Sequence, residues 1–183
     1  MARIQYPNAN DLSGVAKEGW DAHVEAGNLT NMKKALLLDE AVYEAYMGWY
    51  KSWSRLVELV GKKTAMILAH SVSSTNDCLL CSLFFVRDLK AIGINPADFV
   101  ADEKEELLAE FGKQIVKNPT KICDDLFAKL KKYFNDKEIV VIVGFIGQMM
   151  ATNNFNSVLQ IDVDEQLLPL KGEFTPATWR EDC

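Results

Sequence analysis

The stretch "SSTNDCLLCSLFFVRDL", residues 73–89, places two cysteines three positions apart at the predicted start of a helix. A Thr-Asn-Asp segment at 75–77 interrupts the preceding helical pattern and is suited to capping the next helix. Cys78 then falls in the first turn, where unpaired N–H groups and the helix dipole favour a thiolate. Cys81 lies one turn further on, within reach of a disulfide. The stretch predicts either a working dithiol or two small apolar residues in a buried helix.

On both sides of this stretch, apolar residues recur every three or four positions, which is typical of amphipathic helices. The clearest segment is 39–60, and further helices are predicted at 77–91, from about 120 to 133 and at 136–158. Alternation with a period of two is nearly absent, and Gly and Pro fall at the junctions. The pattern predicts an all-α protein.

We expect three parts along the chain. We predict an N-terminal helical arm at 1–30, a helical domain at 31–165 and a C-terminal arm at 166–183. The last arm is expected to be extended from Pro169. It carries Trp179, a large aromatic residue that we expect to pack on the body or on a neighbouring subunit.

Composition argues against nucleic-acid and membrane binding. Of the 183 residues 49% are hydrophobic and 25% charged, the net charge is −6, and no basic block offsets it. The longest apolar run spans 12 residues, 139–150, whereas a transmembrane helix needs about 20. The opening "MARIQYPNAN" has no apolar region of the signal-peptide kind. We therefore expect a cytoplasmic protein, in which cysteines stay reduced unless they are redox-active.

The four cysteines and two histidines do not form a metal-binding pattern. Zinc sites usually need a second CxxC pair or a histidine pair, so we expect neither a metal nor a cofactor. Cys123 and Cys183 have no partner pattern. His23 is interpreted as structural, whereas His70 either serves the dithiol as a base or packs in the core.

Four segments together resemble the carboxymuconolactone decarboxylase family, and more narrowly its alkyl hydroperoxidase D-like, peroxidase-related branch. They are "VYEAYMGWYKSW", "KTAMILAHSVSSTNDCLLC", "LLAEFGKQIVKNP" and "KEIVVIVGFIGQMMATNNFNSVLQIDVDE". The most specific parts are the capped CxxC and the Asn-Asn-Phe-Asn segment at 153–156. The resemblance implies an all-α orthogonal bundle that assembles as homodimers, trimers or hexamers. Three aromatic side chains of the 39–60 segment are the expected interface anchors: Trp49, Tyr50 and Trp53.

The resemblance also implies roles for the two cysteines. Cys81 corresponds to the attacking thiol and Cys78 to the resolving thiol, which is the more exposed of the two in redox-active members. Those members carry a histidine four residues after the second cysteine and a glutamate twelve residues before the first, and both activate the thiol. Here these positions hold Phe85 and Met66, so the activating pair is missing.

The missing pair predicts slow peroxidase chemistry. A free thiol with a pKa of about 8.5 is only a few per cent thiolate at pH 7. Helix-end stabilisation of about 0.3–1 kcal/mol lowers this pKa by less than about one unit, and an apolar ring at Phe85 raises it. His70 precedes Cys78 by eight residues and is the remaining candidate base for the dithiol.

Three functions remain open from the sequence. The first is a thiol/disulfide oxidoreductase or weak peroxidase that uses Cys78 and Cys81, with a thiol reductant protein or a small hydroperoxide as partner. The second is a non-enzymatic oligomer that binds a small molecule or a protein. The third is a cofactor-free enzyme of the decarboxylase family built around His70, without thiol chemistry.

Overall fold

The computed structural model describes residues 1–96 and 100–177. These residues contain no strand, so the predicted all-α class is confirmed. The helices are α1 Gly14–Glu25, α2 Asn31–Leu36, α3 Glu40–Gly48, α4 Tyr50–Val60, α5 Lys62–Thr75, α6 Leu79–Lys90, α7 Glu103–Lys117, α8 Asp124–Tyr133 and α9 Asp136–Leu159. A short 3-10 turn, Ala9–Asp11, precedes α1, and a C-terminal 3-10 segment, Glu165–Glu173, follows α9. Trp179 and Cys183 lie outside the described residues.

The single helix predicted at 39–60 is broken at Trp49. The backbone tightens there, because the Trp49 N–H bonds to the Tyr46 carbonyl and the Ser52 N–H bonds to the Trp49 carbonyl, both three residues back. The Ser52 hydroxyl also donates to the Trp49 carbonyl at 2.8 Å. This side-chain bond competes with the regular helical pattern, and α3 and α4 result.

Helix α5 lies at the centre of the bundle and packs against α4, α6, α7 and α9. Most of its length is buried, from Ala65 to Thr75 with few interruptions. Helix α7 approaches it closely at Gly112, where a Cβ would lie 2.9 Å from the side chains of Leu68 and Val72. The next helix along the chain, α6, carries the cysteines, so the core holds the dithiol in place from one side.

Helix α9 begins with a capping box formed by Asn135 and Glu138, and ends at Gln160 in a left-handed conformation. Among the described residues it is the one helix that is long and apolar enough to cross a membrane. It buries Ile142, Phe145 and Ile146 in the core, which is the usual reason for such an apolar helix in a bundle. The structure gives no clear sign of a membrane protein.

Both chain ends that the structure describes pack on the body. The Arg3 N–H donates to the Leu159 carbonyl at 2.8 Å. The C-terminal 3-10 segment packs against α6 and buries Leu167 completely. Pro169 therefore lies inside a helical turn, and the extended arm predicted from that residue is wrong up to Glu173. The domain boundaries after residues 30 and 165 stay a prediction.

Candidate dithiol site

The turn between α5 and α6 fixes the position of the first cysteine. Asp77 adopts the left-handed conformation with φ 59°, which Asp tolerates better than most residues because its short side chain bonds locally. Its carboxylate accepts the Ala177 N–H at 2.9 Å. Cys78 follows as the N-cap of α6, and its sulfur accepts the Cys81 N–H at 3.3 Å. Sulfur here takes the place of the usual capping oxygen.

Cys78 and Cys81 form a disulfide, with their Cα atoms 5.4 Å apart. Cys78 is only 1% exposed and Cys81 5% exposed. The resemblance implied a more exposed Cys78, and the structure differs. Side chains of the C-terminal 3-10 segment, including Leu167, pack in the same apolar cluster as both cysteines and keep Cys78 from solvent.

Cys81 lines a cavity of about 590 Å³, a volume in the range of small-molecule sites. Six aromatic side chains contribute to its wall: Tyr46, Trp49, Tyr50, Trp53, Phe84 and Phe85. Three of these are the expected subunit-interface anchors. Trp53 packs against Phe85 and Phe145 with ring centroids 6.3 and 5.6 Å apart. The aromatic stripe of α4 therefore builds a cavity within one chain.

The amides of the 153–156 segment hold the dithiol region together. Asn153 accepts a bond from the Ser73 hydroxyl, and Asn154 accepts one from the Asn76 side chain, both at 3.3 Å. Asn156 donates its Nδ2–H to the Cys81 sulfur at 3.2 Å. Its Oδ1 is buried without a hydrogen-bond partner in the described structure, and the residue also lines the cavity.

Sequence reasoning missed this role of Asn156. The available signal was the Asn-Asn-Phe-Asn motif itself, since three amides within one turn and a half of an apolar helix need polar partners. The identity of the partner is not a local property. The partner is set by the packing of α9 beside α6. Asn156 and Cys81, for example, are 75 positions apart in the chain.

Several solved structures share this arrangement of helices. An uncharacterized peroxidase-related protein from Silicibacter sp. TM1040 superposes with a TM-score of 0.72 at 17% identity, covering 91% of this chain and 93% of its own. A second, from Ralstonia eutropha JMP134 and described as an alkylhydroperoxidase AhpD core, gives 0.71 at 14% identity, with 96% and 97% covered. The chain has the alkyl hydroperoxidase D-like fold. No family model matches the sequence, and no curated protein matches it either.

Two positions of this alkyl hydroperoxidase D-like fold are those at which the resemblance implies an activating pair. Met66 and Phe85 both line the cavity that Cys81 lines. Met66 is 1% exposed and belongs to a small apolar cluster. Phe85 packs against this cluster. Apolar side chains therefore occupy both positions, and neither can transfer a proton.

His70 lies elsewhere. It lines a second cavity of about 460 Å³, together with Ser82 and Val86 of α6 and Phe174. Burial, together with the nearby Lys113 cation, lowers the pKa of His70 below its usual value, so the imidazole is neutral at pH 7. Its helix face turns toward α6. Within the described residues, however, no hydrogen bond joins its ring to either sulfur, and its role as a base for the dithiol stays a prediction.

The other candidates, Cys123 and His23, are not lining residues of either cavity. Cys123 is exposed and unpaired at the start of α8, which makes it a useful control for thiol chemistry. His23 belongs to α1, where its Nε2 lies 3.0 Å from the Tyr43 hydroxyl.

Proposed function

We propose that the protein is a thiol-dependent oxidoreductase in which Cys81 reacts with a hydroperoxide inside the aromatic cavity and Cys78 resolves it. One observation carries the proposal: Cys81 is both bonded to Cys78 and part of the cavity wall. The reduction of a hydroperoxide by two cysteines needs a second cysteine within disulfide reach and a space for the small molecule. The likeness of the fold to peroxidase-related proteins supports the same conclusion.

The proposed reaction has two steps. The Cys81 thiolate attacks the terminal oxygen of the hydroperoxide, the O–O bond breaks, and the alkoxide takes the proton that Cys81 lost and leaves as an alcohol. Cys81 is now a sulfenic acid. The Cys78 sulfur attacks it, the S–O bond breaks, and hydroxide leaves with the Cys78 proton as water, which yields the disulfide. An external dithiol returns two electrons and two protons.

Asn156 is suited to assist the first step. Its amide N–H points at the Cys81 sulfur, and a hydrogen bond to the charged form of a group favours that form. Asn156 also lines the cavity, and its buried Oδ1 has no hydrogen-bond partner in the described structure. With Met66 and Phe85 in place of a proton relay, we expect these contacts to support only slow turnover.

The reductant reaches the site from the cavity. Cys78 is covered by the C-terminal 3-10 segment, whereas Cys81 opens onto a space of about 590 Å³. A small dithiol fits that route, so dithiothreitol is the appropriate reductant for a first assay.

The test is peroxide consumption with dithiothreitol, combined with mass mapping of the cysteines. Wild type is expected to cycle between the dithiol and the Cys78–Cys81 disulfide. Cys81→Ser abolishes turnover, and Cys78→Ser leaves a sulfenic acid at Cys81 that a dimedone probe captures. Cys123→Ser, at the exposed unpaired cysteine, is the matched control and leaves the rate unchanged.

Two results would contradict the proposal. A rate in Cys81→Ser equal to that of wild type would remove the dithiol from the chemistry. The second result is a Cys78–Cys81 pair that does not change between its dithiol and disulfide forms under dithiothreitol and hydroperoxide. It would favour the second function, a binding protein whose cavity holds a small molecule without redox chemistry.

A further inference from the structure

Lys33 of α2 is a buried cation in the wall of the aromatic cavity. The residue is 6% exposed and lines the cavity that contains Cys81. Lysine is almost never this deeply buried unless its charge is paired, because taking an ammonium group out of water is costly. Burial accordingly lowers the pKa of Lys33.

No carboxylate compensates this charge within the described residues, since none of the ion pairs found there includes Lys33. Its Nζ donates to the backbone oxygen of Asn28 at 3.0 Å and to the Asn28 Oδ1 at 2.8 Å. These neutral acceptors use two of its three N–H groups.

The third N–H group has one imidazole nitrogen near it, His23 Nδ1 at 3.3 Å, and Nζ also lies 5.9 Å from the centroid of the Tyr50 ring, which belongs to the cavity wall. That nitrogen lies 2.8 Å from the Asn28 Oδ1, while the other ring nitrogen lies 3.0 Å from the Tyr43 hydroxyl. The network assigns the imidazole proton to Nδ1, where it bonds Asn28, and makes Nε2 the acceptor of the Tyr43 hydroxyl. His23 Nδ1 therefore does not accept from Lys33, and one ammonium donor is left for a ligand.

The charges of the cavity favour an anion. Its charged lining residues are Lys33, Lys62, Arg87 and Asp88. Arg87 and Asp88 pair with each other, with Nη2 and Oδ1 2.7 Å apart, so the lysines are left in excess. The rest of the wall is largely aromatic and sulfur-containing, which suits an apolar body.

We propose that the Lys33 end of the cavity binds the carboxylate of an apolar carboxylic acid, whose hydrocarbon or aromatic body lies along the aromatic wall toward Cys81. A single buried ammonium with one open donor matches a group of one negative charge. A phosphate group, with more charge and more acceptor oxygens, is usually held by several donors. This inference rests on the proposed function in taking the cavity as the substrate site, and it makes the substrate the hydroperoxide of such an acid.

The binding step is tested without redox chemistry. Decanoic acid and decan-1-ol are titrated into wild type while the emission of the cavity tryptophans, Trp49 and Trp53, is followed. Decanoate is expected to bind at least about tenfold more tightly than the alcohol, as a charge-assisted bond in a buried site allows. Lys33→Met removes this preference and leaves alcohol binding unchanged. Lys34→Met, the next residue of the same helix and not part of the cavity wall, keeps it.

Equal affinities of wild type for the acid and the alcohol would overturn the proposal, and this comparison needs no variant. Loss of the preference on Lys62→Met but not on Lys33→Met would overturn the assignment to Lys33. If Lys33→Met does not fold, Lys33→Arg, which keeps the charge, is expected to retain a preference for the acid. Cys81→Ser separates the two proposals. If the proposed function is correct, this variant has no peroxide turnover. Decanoate binding by the same variant is expected to persist even if the proposed function is wrong.

Discussion

For the reaction proposed at Cys81, Phe85 and Met66 are the positions that lack an acid or a base. Both lie on the wall of the cavity that Cys81 lines, and neither can give or take a proton. General acid–base assistance typically contributes about 10²–10⁴-fold to a rate. The absence of such a group at Phe85 is therefore enough to separate a slow enzyme of this fold from a fast one.

Phe85→His is expected to raise peroxide turnover by at least about tenfold, because an imidazole one turn from Cys81 supplies a proton acceptor and stabilises the thiolate. The pH midpoint of Cys81 alkylation moves down in the same variant. Stopped-flow peroxide assays and pH-dependent alkylation of the reduced protein measure both effects.

The matched control is Phe84→His. Phe84 lies next in sequence and also lines the cavity, but its ring carries the Arg87 guanidinium at 4.8 Å, and it is three rather than four residues from Cys81. Equal gains in the two variants would show that any imidazole in the cavity suffices. No gain in Phe85→His, with binding intact, would show that the relay is not what limits the rate.

His70→Gln is expected to leave the pH profile of alkylation at Cys78 and Cys81 unchanged. His70 lines a different cavity from Cys81, and a base must lie within about 3.2 Å of the sulfur or be bridged by one water. Circular dichroism checks the fold of the variant. A shifted profile with an intact fold would restore His70 as the base that the sequence suggested.

Two carboxylates connect the segment after α9 to the N-terminal elements, and their environments differ. Asp164 is 7% exposed. Its Oδ1 accepts the first N–H of α2, from Asn31, at 2.8 Å, and its Oδ2 is buried without a partner in the described structure. Burial raises the pKa of Asp164, against the Asn31 bond that opposes it. At Asp162 burial acts in the same direction, but bonds from the Ala2 N–H and the Tyr6 hydroxyl outweigh it and hold the pKa below its usual value.

Opposite pH dependences follow for Asp164→Asn and Asp162→Asn. Because the folded-state pKa of Asp164 is raised, folded protein holds more protons than unfolded protein between the two pKa values, and stability falls as pH rises through that window. The unfolding free energy of Asp164→Asn relative to wild type therefore increases from about pH 3 to pH 7. Asp162 has a depressed pKa, so its contribution is lost as pH falls below about 4. Asp162→Asn therefore loses stability relative to wild type as pH rises through that lower window. Urea titrations at several pH values measure both, and slopes of the same sign would contradict this account.

One face of α9 is unusually apolar for a helix surface. Val140, Val143 and Val158 are 71%, 42% and 61% exposed, and Gly144 and Gly147 lie between them on the same stripe. Small and β-branched side chains on a helix of this length let a second helix approach closely. With the aromatic residues of α4 turned to the cavity, this stripe is the better candidate for the subunit interface that the family resemblance implies.

The protein is expected to sediment at a multiple of its 20.6 kDa chain mass. Gly147→Arg dissociates the oligomer, because it places a charged side chain in the stripe. The monomer tolerates the change, since a Cβ at Gly147 meets nothing within 4 Å. Gly48→Arg is the control: its Cβ is equally free, and it lies beside the aromatic residues of α4. Dissociation by Gly48→Arg instead would return the interface to Trp49 and Tyr50, and a single chain mass at all concentrations would exclude an oligomer.

The features that the sequence by itself determined are those with local causes. The all-α class follows from apolar spacing and from caps such as Asn135 with Glu138, whose partners lie three residues apart. The Cys78–Cys81 pair follows in the same way, since a helix start holds two sulfurs at this spacing within reach of each other. The break of the helix at Trp49 also has a local cause, since the Ser52 hydroxyl bonds the Trp49 carbonyl. A single serine in a helical pattern does not predict such a break.

Only the tertiary structure decided what surrounds the dithiol. Whether Cys78 is exposed depends on where Leu167 packs, and whether Asn156 bonds a sulfur depends on the crossing of α9 and α6. The separation of His70 from Cys81, and the use of the α4 aromatics as a cavity wall, likewise come from the angles at which helices meet. Helical periodicity gives the face on which a side chain lies, but not the neighbour that this face meets, because packing angles arise from contacts between residues far apart in the chain.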